Sequence, residues 1–484
     1  MQLIETVLLL LLAVVLSGWV ARMTRLPLPL VQIALGAGVV MVTGQSVDLK
    51  PEIFFLLFLP PLLFVDGWRI PKAALFRDRA VILELALGLV IFTVIGLGFF
   101  IHWMIPAMPL AVAFALAAIL SPTDPIAVSA IAGRSPMPKR LMHILEGESL
   151  LNDATGLTCM RIAVIAATTG AFSLTSAVGT FAWLALAGIA VGVAVSMAIG
   201  LMKAFISQRW GEDVGGQILI SLLIPFAAYL AAEHIHASGI LAAVAAGITM
   251  SFAEREGSAL AATRIRRAVV WDTVQFTANG LIFVLLGEQM PSILSRAKEV
   301  IRQTPQSEVW WLAVYVLAIV AVLALLRFLW VLVTLKMTLF RPHQERPKLR
   351  WRLVAVMSLA GVRGAITLAG ILTLPFMVTD GSLLPGRNLA IFLAAGVIIV
   401  SLVVASVALP ILMKGVVLPP EDHSQVVVER ARKASALAAI EALEEVQRNR
   451  QTSDARPDEF VEMVARVMEL YRHRIDLLSN ANCV

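Results

Sequence analysis

Glu148, Ser149, Asn152 and Asp153 carry groups able to hold a cation or a proton inside an otherwise apolar stretch. At about 100° per residue, a helix stacks Glu148 over Asn152 on one stripe and Ser149 over Asp153 on the next. Ser149 and Asp153 then offer a hydroxyl and a carboxylate, the hard oxygen ligands that alkali cations prefer. Glu148 and Asn152 are left to take a structural partner. A charge in the middle of an apolar span costs at least about 2.5 kcal/mol on insertion scales, which makes these acids functional candidates. The competing reading is polar glue between packed helices.

A second constellation is Ser121-Pro122-Thr123-Asp124-Pro125, where two prolines bracket a polar pair within an apolar run. Proline removes a backbone donor and clashes with the preceding turn, so the helix must break there. A break at membrane depth is tolerated only where it is buried in protein or lines a cavity. Freed carbonyls and the Thr123 hydroxyl add oxygen ligands, and Asp124 is placed to neutralise the N-terminal dipole of the following half-helix. A proline kink without a task is the alternative. In the second half of the chain, Gly361-Val362-Arg363-Gly364 interrupts a late span with a glycine-flanked arginine that needs a carboxylate. One interrupted span in each half points to inverted repeats with a binding site between them.

Other candidates are weaker. Asp66, next to Gly67-Trp68-Arg69, either helps an ion path or pairs with a loop arginine. Arg161, two turns beyond Asp153, is either a buried counter-charge or a partner of Glu84. Glu233, His234 and His236 resemble a metal cluster in composition but fall in a short loop between spans, where polar residues are ordinary. No metalloprotease, hydrolase or Walker pattern is present, which argues against an enzyme or an ATP-driven pump, and no cofactor is expected.

The elements that must position these residues are membrane helices. The 484 residues are 59% hydrophobic and 15% charged, with a mean hydropathy of +0.86. Apolar runs long enough for a hydrocarbon core of about 30 Å recur from Met1 to about Leu418, and no barrel pattern interrupts them. The expected fold is all-α and polytopic, with about thirteen transmembrane helices in inverted repeats, two of them broken, and a cytoplasmic helical tail. The first run, Leu3 to Val20, lacks a basic start and a cleavage site and is read as a retained span. Basic residues fall mostly in every second loop, including Arg69 to Arg79, Arg134 to Arg140, Arg255 to Arg267 and Arg341 to Arg352, which predicts the N-terminus outside and the C-terminus in the cytoplasm. The loop with Arg296, Lys298 and Arg302 runs against that trend. The net charge of +6 is accounted for by such loops rather than by nucleic acid. Cys159 and Cys483 have neither metal spacing nor a disulfide framework. Residues 1–418 form the expected transmembrane domain. Residues 419–484 change to charged amphipathic helices with a turn at Asp454 to Pro457, expected as a helical hairpin.

These segments, with Phe58-Leu59-Pro60-Pro61 in the third span and Leu286-Gly287-Glu288 in the tenth, resemble the signature regions of the monovalent cation:proton antiporter-1 family of bacterial antiporters and animal sodium:proton exchangers. The resemblance covers most of residues 1 to 418 and implies that Asn152 and Asp153 are the ion-carrying pair, with the ion on the aspartate. It further implies that Thr123 and Asp124 are the broken-helix pair and that Glu148 and Arg363 form a structural ion pair. It implies a homodimer in the inner membrane, with a dimerisation domain and a moving six-helix core. The expected transport is Na⁺ (K⁺ or Li⁺ as alternatives) against H⁺ at Asp153. With Asn152 neutral, one titrating group at the pair suggests one-for-one electroneutral exchange. A cation channel or uniporter, or an ion-sensing membrane protein, is the rival class.

Overall fold

A lipid-exposed backbone has to satisfy its own hydrogen bonds, and the chain does so with helices. The computed structural model describes residues 2–44, 51–132, 139–170, 172–211, 213–255, 261–297, 301, 308–339, 351–377, 382–414, 423–450, 464, 467–469 and 471. The loop residues 133–138 and 340–350, the Asp454 to Pro457 turn and Cys483 lie outside them. Among the described residues the only extended pairing is one isolated bridge between Met377 and Leu383.

The first helices are α1 (Gln2–Thr24), α2 (Leu28–Thr43), α3 (Pro51–Arg69) and the short α4 (Lys72–Arg77). A long span, α5 (Arg79–Met104), contains a π-helical stretch at Glu84–Leu89. The first break follows, between α6 (Leu110–Leu120) and α7 (Pro125–Ala132), with Pro125 in the first helical position, where its missing donor costs nothing. Next come α8 (Lys139–Thr169), α9 (Leu174–Trp210), α10 (Val214–His234), α11 (Gly239–Arg255), α12 (Ala261–Ser295) and α13 (Trp310–Leu339). The second break separates α14 (Trp351–Leu359) from α15 (Ala365–Leu372), and α16 (Arg387–Met413) closes the bundle. Among the described residues, eight helices are long and apolar enough to cross a membrane and three shorter apolar helices accompany them, so the chain is a multi-pass membrane protein.

Helices in lipid gain little from hydrophobic burial against each other and associate through close packing. Small residues make that possible here. Added side-chain carbons at Gly36 and Gly287 would collide with backbone across the α2–α12 contact, and those at Gly67 and Gly247 across α3–α11. One departure from the loop assignment is Arg267, which belongs to α12 and is fully buried. The chain divides into two compact units, Met1–Val416 and Val417–Val484. In the second unit, α17 (His423–Arg450) is described, whereas most of the expected second helix of the hairpin is outside the described residues.

Candidate cation site

The two broken helices meet at their breaks, where the Asp124 amide donates to the Val362 carbonyl at 2.8 Å. Each break leaves carbonyls without helical donors, and buried arginines collect them. Arg363 donates through Nε to Leu120 O at 2.8 Å, at the end of α6, and through Nη1 to Gly361 O. Arg327, from the middle of α13, donates through Nε to Met357 O at 2.9 Å, at the end of α14. Asp124 accepts from the Ala127 amide at 3.4 Å in the first turn of α7. Its side chain also lies against Gly364 at the start of α15, where an added Cβ would stand 2.8 Å from that of Asp124. One carboxylate thus sits between two helix N-termini, the sign their dipoles favour.

Glu148 is fully committed. The Arg327 guanidinium grips it with Nη1 at 2.5 Å and Nη2 at 2.7 Å, and both side chains are almost inaccessible. The resemblance-based pairing of Glu148 with Arg363 is therefore corrected. Arg363 is held by carbonyls that the breaks expose, and the planar fork of Arg327 fits the carboxylate bidentately. The same network takes up Asn152, whose Nδ2 donates to Thr123 Oγ1 at 3.1 Å, and Thr123, which donates to Glu148 at 3.3 Å. Asn152 Oδ1 is buried and has no partner among the described residues.

The adjacent stripe of α8 faces elsewhere. Ser149 and Asp153 line a cavity of about 40 Å³ together with Asp66, Thr123, Asp124 and Asn279. Asp153 is only 6% exposed, yet among the described residues its carboxylate has no hydrogen-bond or ion-pair partner. A buried anion left in that condition is expensive, which favours neutralising it with a proton or a cation. The aligned groups are carboxylate, hydroxyl and amide oxygens, a donor set for a hard cation. The chain thus brings Asp153, Ser149, Asp124, Thr123 and Asp66 to one cavity, and directs Asn152, Glu148 and Arg363 into the scaffold behind it.

Among the described residues, no loop arginine pairs with Asp66. Its Oδ1 accepts from Gln275 Nε2 at 3.2 Å, Gln275 in turn accepts from Arg69 at 2.7 Å, and Arg69 pairs with Asp272 at 2.6 Å. Arg161 corrects both of its expected roles: its side chain is 47% exposed and pairs with Glu233 at 3.2 Å rather than with Glu84. That pair borders a second cavity of about 610 Å³, which reaches along α8 through Thr158 and Leu157 to Ala154, the neighbour of Asp153. Among the described residues no His, Cys, Asp and Glu group has the arrangement of a metal centre.

Three residues escaped sequence reasoning. Arg327 was signalled by being the lone charge in the apolar run Trp310 to Thr334. Gln275 and Asn279 are four residues apart in α12, which puts them on one face toward Asp66 and the cavity, but neutral amides stand out little from the letters around them.

The profile described as "Sodium/hydrogen exchanger, transmembrane" matches residues 9–415. A Bacillus subtilis protein named a sodium, potassium, lithium and rubidium/H⁺ antiporter is 46% identical over 419 residues, 85% of this chain and 62% of that protein. The Escherichia coli K12 protein YjcE, called an uncharacterized Na⁺/H⁺ exchanger, is 44% identical over 457 residues, 92% of this chain and 83% of its own length. In fold, the chain is similar to the sodium proton antiporter MjNhaP1 of Methanocaldococcus jannaschii, with a TM-score of 0.61 at 18% identity, over 86% of this chain and 99% of that one. From the breadth of the profile match and these identities, the chain belongs to the sodium/hydrogen exchanger family of transmembrane proteins.

Proposed function

We propose that the protein is an antiporter that exchanges Na⁺ for H⁺ at Asp153, with K⁺ and Li⁺ as further substrates in the manner that the Bacillus relative's name describes. The observation that carries this reading is the Asp153 carboxylate, buried, without a partner among the described residues and lining a cavity of hard oxygens. Ser149 shares the cation with Asp153. Asp124 and Asp66 set the negative field around it, and Thr123 ties the site to the Glu148–Arg327 scaffold. Because a bare carboxylate is costly in low dielectric, the loaded site crosses and the empty one does not. A proton or a cation then rides in each direction, and with one charge exchanged per cycle the transport is electroneutral.

In the same reading, thirteen membrane crossings, including the two broken ones, place the N-terminus outside and the C-terminal tail in the cytoplasm of the inner membrane. Residues 1–418 divide into a dimerisation part and a core part, two copies assemble, and residues 419–484 form the tail.

The test is fluorescence dequenching in everted vesicles, with Na⁺, Li⁺ and K⁺ added in turn across pH 6 to 9. Wild type should exchange, Asp153→Asn should fall to background, and lowering the pH should raise the apparent KM for Na⁺ as protons compete for the carboxylate. Full exchange by Asp153→Asn would refute the assignment. A pH-independent ²²Na⁺ leak would instead mark a channel, and a rate that follows the membrane potential would remove electroneutrality.

A further inference from the structure

Arg161 is a positive charge on the wall of a space through which, by the reading above, a cation has to pass. It lies eight residues beyond Asp153 on α8, about 12 Å along the axis. Ala154, Leu157, Thr158 and Arg161 recur at the spacing of one helix face, and all of them line the cavity of about 610 Å³. Glu233, at the end of α10, lines the same cavity and receives Arg161 Nη2 at 3.2 Å and 3.4 Å. The Glu233 carboxylate also accepts from the Gly239 amide at 3.3 Å in the first turn of α11. It is therefore anchored on the α10–α11 corner, while Arg161 reaches over from the helix that carries Asp153. The side chains are 47% and 31% exposed, which places them where the cavity meets its surroundings.

We infer that Arg161 and Glu233 form an electrostatic gate on the cation route between this cavity and Asp153, with Glu233 cancelling a guanidinium that would otherwise repel the cation. As fold stabilisation such an exposed pair contributes little. As a field on the route it matters more. A unit charge about 12 Å away, at an effective dielectric between 20 and 40, changes the local cation concentration roughly three- to tenfold. The two halves of the pair act with opposite signs, a signature that a purely mechanical strut lacks. The inference rests on Asp153 being the transport site.

The experiment uses the full chain in right-side-out and everted vesicles, with Na⁺ as the probe and the apparent KM as the readout. Glu233→Gln exposes the guanidinium and should raise the KM for Na⁺ roughly three- to tenfold from the side onto which this cavity opens. Arg161→Gln exposes the carboxylate and should lower it by a similar factor. The double variant Arg161→Gln with Glu233→Gln should return to within about twofold of wild type, and added choline chloride should shrink both single effects by screening. Equal changes from both sides, changes of the same sign in the two single variants, or unchanged KM values would overturn the gate. Asp153→Asn is measured in the same vesicles. If it is inactive while the KM values stay put, the gate alone fails. If it remains active, the site and the gate fail together.

Discussion

Glu148 and Asp153 stand five residues apart on one helix, both buried, and their surroundings are opposite. Glu148 meets a bidentate arginine and a threonine hydroxyl, so its charge is satisfied permanently. Asp153 meets a cavity and, among the described residues, no partner. An acid in a membrane span becomes scaffold or ion carrier according to what neutralises it. For Glu148 the counter-charge is covalently part of the chain, and for Asp153, in the function proposed above, it arrives from water.

The largest effect that separates the two is functional. Asp153→Asn should abolish exchange, yet leave thermal stability in detergent equal to or above wild type, because it removes a buried charge that no described residue compensates. A clear loss of stability would mean that Asp153 has a structural partner and would break the comparison. The mirror case is Arg327→Met, which strands Glu148 in a dry interior and should destabilise the fold by about 3–5 kcal/mol, read as loss of monodisperse protein on heating. Adding Glu148→Gln to it should recover much of that loss, since the pair acts as a unit.

A smaller effect sharpens the geometry between the two acids. Gly364→Ala puts a Cβ into the space occupied by Asp124, an overpacking cost of about 1–3 kcal/mol. Exchange should fall while the protein still purifies intact, and unchanged exchange would show that the alignment of the breaks tolerates such a shift. The smallest effect expected is from Asn152→Ala, which loses one hydrogen bond to Thr123, about 1 kcal/mol, and should slow exchange without abolishing it. Complete inactivation by that change would move Asn152 from the scaffold side of the comparison to the ion side.

The parts of this arrangement that were legible in the sequence are those set by local physics. Helical periodicity separated the Glu148–Asn152 stripe from the Ser149–Asp153 stripe before any packing was known. Pro122 and Pro125, and later Gly361 and Gly364, fixed where the two helices have to break. The partners were less readable. The resemblance assigned Arg363 to Glu148, and the letters around Arg327 and Arg363 do not tell the two apart, since each is a lone cation in an apolar span. One of the carbonyls that claim Arg363, that of Leu120, comes from a helix end 243 residues earlier in the chain. Arg161 looked buried in the letters because α8 is apolar there, but the cavity on that side opens the helix face and Glu233 reaches it from α10.

By itself, the sequence determined that the chain lives in a bilayer as helices, where those helices break, and which acids are costly enough to need a reason. Insertion energy and helix-breaking belong to each segment alone, so short stretches of letters carry them. Which acid is neutralised by the protein and which is left facing a cavity was decided by the tertiary structure, because it depends on how distant helices cross. That crossing sends the Arg327 fork to Glu148 and leaves the Asp153 carboxylate facing an open space.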